Sequence, residues 1–394
     1  MQILIIDENA IPFVMAQSLK KQGYDVISVG NTNLAIEIIL REQIQFVITD
    51  SIIPEGCSGS VLCQRLRELD LPFYTYIILV TSPDGLQSEV QGIDSDPDDF
   101  ILKPIQYHEL YARIKAGEQE LRSQKNLQRV NEAHRHDIKM AATMQRSLLP
   151  DASSSIQSIT IDWLFFPSTD MSGDIFNFFS LDEHHVGFYI IDVAGHGIAS
   201  AIKSSVLTRM LSPYMGSRNL LKLSLPVAPF YQLRTTSEVV AILNEEFQTD
   251  DFDILYFTMV YGVIDTLAHT IDFCQAGHPH PLYLTHERTA QFIGDGGFPV
   301  GISAQAEYTP IHLVYCSDDR LFLYSDGITE CESPDGIPFG AERLRMFVDE
   351  TRHLRINEVV YQLKERICSW CQRDFFEDDI SMLVLEMKFA QGKG

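Results

Sequence analysis

Five aspartates after Pro150 stand at the ends of strand-like runs, beside glycines or tight turns. They are Asp174 in SGD, Asp192 in IIDVAGHG, Asp326 in YSDG, and Asp378 and Asp379 in FEDDIS. An acid at the end of a buried strand loses hydration and needs a counter-charge. With no Cys or His cluster to attract a softer metal, these carboxylates form the all-oxygen donor set that magnesium or manganese prefers. Two such ions about 3.5–4 Å apart can share a water, deprotonate it at neutral pH and aim it at a phosphorus atom. In that chemistry the Asp192 carboxylate bridges the ions and the Val193 carbonyl completes a coordination sphere. Gly195 and Gly197 let the backbone turn tightly around them. His196, between those glycines, is read first as a turn anchor and only second as a general acid. His278 in AGHPHP reads as structural.

A second constellation lies in the first hundred residues. Asp7 and Glu8 end the run ILIID, Asp50 ends FVITD, Thr81 ends YIILVT, and Lys103 ends DFILK before Pro104. Three carboxylates on one rim cannot all stay ionised without a cation, and magnesium with oxygen ligands fits. Asp50 is then free to act as a nucleophile toward a phosphoryl group. Lys103 would offset the added charge, and the Thr81 hydroxyl would donate to a phosphoryl oxygen.

The elements that position this first set are five apolar runs, at 3–7, 25–29, 46–50, 76–81 and 99–103, separated by segments with Leu, Ile and Ala at helical spacing. The pattern predicts an α/β doubly wound domain: five parallel strands covered by helices on both faces, with the site at the carboxyl ends of the strands. These residues resemble the receiver domain of two-component response regulators over about residues 1–118. The resemblance implies that Asp50 is the phospho-acceptor and that Asp7, Glu8 and Asp50 hold Mg2+. It makes Thr81 and Lys103 the switch pair, with Phe100 at the aromatic switch position. It also implies a sensor histidine kinase or phosphotransfer protein as partner. Glu8 stands where an aspartate is common, and Pro54 lacks the usual methionine before it.

Charge marks a joint. Residues 1–118 carry 8 bases against 17 acids, residues 119–150 carry 6 against 3, and residues 151–394 carry 16 against 34. From Tyr107 to Leu149 a helical pattern continues through Leu110, Ile114, Leu121, Leu127, Val130, Ile138, Met144 and Leu148. Gly117 and the cluster AHRHD are expected to interrupt it, leaving an imperfect coiled coil that could join two protomers as a homodimer. The domain reading is 1–118, a helical linker at 119–150, and 151–394 for the second domain, whose opening helix starts at about 132.

After Pro150 the strand-like runs TIDWLFF, VGFYIID, LYFTMVYGVID, TIDFCQA, RLFLYSD and SMLVLEM, with helices grouped between them, predict an α+β layered domain with antiparallel sheets. The motif order SGDIFN, DVAGHG, YFTMVYG, AGHPHP, GGFPVG, LYSDG and EDDIS is similar to the metal-dependent protein phosphatase (PPM) class. More narrowly it resembles the bacterial branch typified by SpoIIE and the RsbU-type regulators of stress sigma factors, over about residues 132–388. The opening helix AATMQRSLLP resembles theirs as well. The resemblance implies an α-β-β-α sandwich and two Mn2+ or Mg2+ ions at Asp174, Asp192, the Val193 carbonyl, Asp326 and Asp378, with Asp379 beside the last. It places catalysis on Asp192, Asp326 and Asp174. It implies serine/threonine phosphatase activity on a phosphorylated STAS-type anti-sigma-factor antagonist. Ser172 replaces the first glycine of the usual Gly-Gly-Asp, and Asn177 replaces a second aspartate, which keeps an oxygen but loses a charge. The competing reading is a phosphatase-like domain that sequesters a partner when Asp50 is phosphorylated. Residues 212–235 read as an insertion, either a flap or a partner surface.

A formal charge of -24, with 54 acids against 30 bases, argues against nucleic-acid binding. No apolar run reaches membrane-spanning length, so no membrane span is expected. Seven scattered cysteines, and a Met1 leading straight into ILII with no secretory leader, suggest a reduced, cytoplasmic protein. The single C-x-x-C at Cys368 and Cys371 reads as packing cysteine on a helix.

Overall fold

The computed structural model describes residues 1–7, 11–53, 58–69, 71–83, 97–151, 153–195, 197–214, 219–248, 256–286, 288–373 and 375–389. Its contacts divide into two compact units, Met1–Arg135 and His136–Gly394.

The first unit is built on β1 (Gln2–Ile6), β2 (Asp25–Val29), β3 (Phe46–Asp50), β4 (Tyr76–Thr81) and β5 (Asp99–Leu102), all parallel, in the order β2-β1-β3-β4-β5. Side chains alternate across a strand, so the two halves of each apolar run serve different layers. Ile3, Ile5, Ile48, Ile78 and Val80 pack with Met15 and Leu19 of α1 (Ile11–Lys21) and with Leu110 and Ile114. Leu4, Ile6, Val47 and Ile77 pack with Ala35 and Ile39 of α2 (Thr32–Glu42) and Leu62 and Leu66 of α3 (Gly59–Glu68). A sheet covered on both faces has no polar side, which is why these runs read as continuously hydrophobic.

Leu110 and Ile114 belong to α4 (Tyr107–Arg146), a helix of 40 residues. It runs through Gly117 and through AHRHD, where the sequence predicted interruptions. Gly117 is a packing glycine: a Cβ there would lie 2.6 Å from the rings of Phe46 and Tyr76. The polar cluster is exposed, and exposed polar residues do not break a helix.

The second unit is built on two large antiparallel sheets. One has the order β16-β13-β12-β9-β8, from β8 (Ile175–Ser180), β9 (His185–Val193), β12 (Phe257–Asp265), β13 (Thr270–Ala276) and β16 (Pro310–Val314). The other runs β15-β14-β17-β18-β7-β6, from β6 (Ser154–Ile156), β7 (Ile159–Phe166), β14 (Leu282–Leu284), β15 (Gln291–Phe292), β17 (Arg320–Tyr324) and β18 (Ile380–Met387). Phe188, Ile190, Phe176 and Val260 from the first meet Leu321, Leu323, Leu383 and Leu385 from the second, forming the layer between the sheets. Residues of opposite parity face the helices. Tyr189, Ile191 and Val193 pack on α5 (Ile198–Met210) and α6 (Thr236–Glu246), while Tyr324, Met382 and Val384 pack on α8 (Ala341–Glu350) and α9 (Ile356–Cys371). The result is the α-β-β-α sandwich, with a short α7 (Asp326–Glu330) after β17.

The segment 212–235 holds a hairpin of β10 (Lys222–Ser224) and β11 (Tyr231–Leu233). The Tyr231 hydroxyl donates to Asp182 Oδ2 at 3.0 Å, and the Lys222 ammonium donates to the Leu181 carbonyl. Those contacts tie the hairpin to the β8–β9 turn, at the far end of β9 from Asp192, so the hairpin itself does not cover the acids. Cys371 is buried within the α9 layer, with Cys331 as a near neighbour, and no disulfide joins the described cysteines. Among the described residues no helix is long and apolar enough to cross a membrane.

Candidate functional site

Strand parity explains how the second-unit acids meet. Asp192 continues the inward series Phe188, Ile190, and Asp174 precedes inward Phe176 by two. Ser325 follows inward Leu323 by two, and Ser381 precedes inward Leu383 by two. Because β9 ends where β8, its antiparallel neighbour, begins, and β17 ends where β18 begins, these positions share one end of the inter-sheet cleft. Asp326 is the first residue of α7 rather than the last of a strand.

The electrostatics report the convergence. Burial, then Asp192 and Asp379, raise the Asp174 carboxyl well above the usual range, although Ser381 and Ser325 donate toward it. Asp192 is pushed up to about 7 by burial and by the charges of Asp326, Asp378 and Asp379. Burial and the neighbouring Asp378 and Glu330 push Asp326 up to about 6. Carboxylates that raise one another in this way call for a cation.

The backbone completes the set. A Cβ on Gly173 would lie 2.8 Å from the Val193 carbonyl oxygen, so only glycine lets the Asp174 loop pass this close to it. Gly195 and Gly197 have φ of 87° and 88°, the left-handed region that glycine enters without strain. Among the described residues no three His, Cys, Asp or Glu side chains close on one point as ligands of an ion do. The donor set nevertheless fits a hard divalent cation in kind, being wholly oxygen and mutually repulsive.

Sequence reasoning left the serines unassigned. Ser381 Oγ donates to Asp174 Oδ2 at 2.6 Å, and Ser325 Oγ accepts the Ser381 N–H at 3.0 Å. Asp379 is engaged on both oxygens. Oδ1 accepts from the Ser168 N–H and hydroxyl at 2.7 and 3.0 Å, and Oδ2 from the Ser172 hydroxyl and Gly173 N–H at 2.7 and 2.8 Å. This distinguishes it from Asp378, whose Oδ1 accepts only the Asp379 N–H, at 2.8 Å, among the hydrogen bonds described. The serines of LYSDG and EDDIS were the available signal, but serine at a strand end is ordinary without knowledge of what it faces.

Asn177 lies on β8 opposite Tyr189, and its Oδ1 accepts the Phe178 N–H at 2.8 Å, within its own strand. His278 is buried, its Nδ1 is 2.8 Å from the Thr258 hydroxyl, and burial pushes it down to about 3, leaving it neutral. Thr258 is the register partner of Asp192. His196 lies outside the described residues.

In the first unit Asp50 is buried at the end of β3, and its Oδ2 accepts from the Lys103 ammonium. Its Oδ1 accepts the Ile52 N–H at 3.2 Å. Thr81 is fully buried with no hydrogen-bond partner on its hydroxyl among the described residues, and its carbonyl accepts the Lys103 N–H at 2.8 Å. Phe100 is half-buried on β5 and pairs in register with Leu79. Asp7 follows β1 directly, and its N–H donates to the Val29 carbonyl at 3.1 Å. Glu8 and Pro54 lie outside the described residues. Asp7, Asp50, Thr81 and Lys103 thus lie at or just past the carboxyl ends of adjacent parallel strands, and Asp50 and Lys103 are in direct contact.

Comparison with known proteins agrees with this division. The response regulator receiver domain family matches residues 3–115, and the family described as stage II sporulation protein E (SpoIIE) matches residues 182–388. The phosphoserine phosphatase RsbP of Bacillus subtilis (strain 168) is 31% identical over 196 residues, which are 50% of this chain and 46% of RsbP. The chain therefore spans less than half the length of that relative. The phosphoserine phosphatase RsbU of the same organism is 25% identical over 266 residues, 66% of this chain and 73% of RsbU. The SiaA-PP2C domain of Pseudomonas aeruginosa shares the fold, with a TM-score of 0.55 at 14% identity, covering 66% of this chain and 99% of that one. Two antiparallel sheets with acids gathered at one end of their cleft, following a parallel receiver sheet in the sequence, thus agree with the family match over more than half of the sequence, and the chain belongs to the SpoIIE family with an N-terminal response regulator receiver domain.

Proposed function

We propose that the chain is a response regulator whose output is a metal-dependent protein serine/threonine phosphatase. The observation that carries this reading is the convergence of Asp174, Asp192, Asp326 and Asp378 at one end of the inter-sheet cleft, with burial and mutual charge raising the first three. Together with the Val193 carbonyl these residues would hold Mn2+ or Mg2+. Bound there, such ions supply a water of lowered pKa and neutralise charge developing on a phosphoryl group.

The residues of the chain do the rest. Ser381 orients Asp174 through Oδ2, and Asp379 gathers the Ser168 and Ser172 loops behind it. Neutral His278 holds the hydroxyl of Thr258 beside Asp192. A cavity of about 190 Å3 bordered by Asp378, Arg373 and Glu330 offers room for the chain that carries the phosphate. On the receiver side, a phosphoryl group on Asp50 would take over Lys103 and gain the hydroxyl of Thr81, which has no partner among the described residues.

The curated relatives are named phosphoserine phosphatases, which supports a phosphoserine or phosphothreonine protein as substrate. A phosphorylated STAS-type anti-sigma-factor antagonist is the specific candidate. The excess of acids repels acidic phosphopeptides at long range, so a folded, docked partner is the expected form. The test is Mn2+-dependent release of phosphate from such a protein and from a phosphopeptide copied from its site. A higher kcat/KM for the folded protein, abolished by chelation and by Asp192→Ala, is expected. Activity that survives Asp192→Ala would refute the assignment.

A further inference from the structure

Gln145, near the end of α4, is a buried polar side chain that none of the chemistry above uses. Its Nε2 donates to the Ser172 carbonyl at 2.6 Å and to Ser204 Oγ at 3.0 Å, and its Oε1 accepts the Ser172 N–H at 3.1 Å. The Ser204 hydroxyl donates to the Ala201 carbonyl at 3.0 Å within α5, which leaves its lone pair for Gln145. An amide that donates to and accepts from the main chain of one residue satisfies that residue as a strand neighbour would, and locks its orientation.

Ser172 passes the constraint on. Its hydroxyl donates to Asp379 Oδ2 at 2.7 Å and accepts the Asp174 N–H at 3.0 Å. The path from α4 to the acids is therefore continuous: Gln145 to the Ser172 backbone, then the Ser172 hydroxyl to Asp379 and to the Asp174 main chain. Ser172 is 1% exposed and Gln145 6%, so water is poorly placed to replace either. A glycine at position 172 would keep the contact with Gln145 and lose the step to Asp379.

We infer that Gln145 is a positioning residue: acting through Ser172, it holds the Ser172–Asp174 loop against Asp379 and so sets the spacing of the acids that would receive the metal. The inference rests on the reading of those acids as an ion site. It predicts a particular split, because Gln145 touches none of the proposed ligand atoms. Its loss should weaken metal binding while leaving turnover at saturating metal nearly intact.

The experiment measures Mn2+ binding to the full chain by electron paramagnetic resonance of the free ion, for the parent, Gln145→Met, Gln145→Glu and Ser172→Gly. Methionine keeps the volume and the helix propensity without the hydrogen bonds, and glutamate keeps acceptance from the Ser172 N–H but cannot donate to its carbonyl. Residues that orient metal ligands cost about 10- to 100-fold in affinity when removed. The expected result is a rise of about tenfold or more in the Mn2+ dissociation constant for both Gln145 variants, a smaller rise for Ser172→Gly, and circular dichroism like the parent's. Parental affinity in folded Gln145→Met and Ser172→Gly would overturn the inference alone. A parent chain that holds no Mn2+ would overturn the ion-site reading and this inference with it.

Discussion

Ser381, on β18, and Asp174, just before β8 of the other sheet, lie 207 positions apart, and the serine hydroxyl donates to the aspartate Oδ2 across 2.6 Å. Both are buried, so the bond is made where an unsatisfied carboxylate is costly. Ser381→Ala should lower stability in chelator by about 1–3 kcal/mol, the usual cost of stranding a buried acceptor. Denaturant titration measures it. A variant as stable as its parent would show that Asp174 draws nothing from this hydroxyl.

Stability without metal should depend on pH in an unusual direction. Asp192 at about 7 and Asp326 at about 6 both lie above the usual value of 3.8, so between these limits the folded chain binds more protons than the unfolded one. The stability this provides is fully present below the unfolded value and is lost as pH rises through about 6 and then 7. Each group contributes a slope of at most about 1.4 kcal/mol per pH unit. Asp182, held down at about 2 against burial by bonds from His184, His185 and Tyr231, loses its contribution only as pH falls toward 2, outside this window. Melting temperatures in chelator should fall between about pH 5 and pH 8, and Asp192→Asn should flatten the upper part of that fall. An unchanged profile in the variant would show that Asp192 is not the titrating group.

Binding of Mn2+ should follow the opposite course, since the ion must displace those protons. Affinity should strengthen as pH rises toward 7 and level off above it. Calorimetry in buffers of different ionisation enthalpy reads the protons released. Binding that releases none below neutrality would contradict ligation by Asp192.

Gly117→Ala sets two effects against each other. Alanine favours a helix interior by about 1 kcal/mol, whereas forcing a methyl into a packed core costs about 1–3 kcal/mol. With Phe46 and Tyr76 rings 2.6 Å from the new atom, packing should win and the receiver unit should be destabilised. Unfolding of the full chain followed by Tyr76-sensitive fluorescence measures the sign. A gain in stability would mean that α4 does not press on those rings.

Phosphorylation should have a single address. A small phosphodonor with Mg2+ should label the chain once, and Asp50→Ala should remove the label, because Asp50 is the buried carboxylate that Lys103 contacts. Lys103→Ala should still accept the label. A label that persists on Asp50→Ala would place the acceptor elsewhere.

Much of this protein is legible in the chain itself. The receiver strands announce themselves because a sheet buried on both faces needs uninterrupted apolar runs, and the acids of both units stand out because charge at the end of such a run demands an explanation. Strand parity even assigns Asp192 and Ser381 to the same cleft once the sheets are known. What sequence could not decide depended on neighbours distant in the chain. Gly117 looked like a break until Phe46 and Tyr76 were seen to fill the space beside it. Asp378 and Asp379 are adjacent and chemically identical, and only the ring of donors from Ser168, Ser172 and Gly173 separates the engaged acid from the freer one. Gln145 is an ordinary helix residue until Ser172, 27 positions away, presents its main chain to it. Periodicity and composition record how each element meets solvent and core, whereas hydrogen-bond partners are set by which elements come together, and that is decided only when the sheets close on each other.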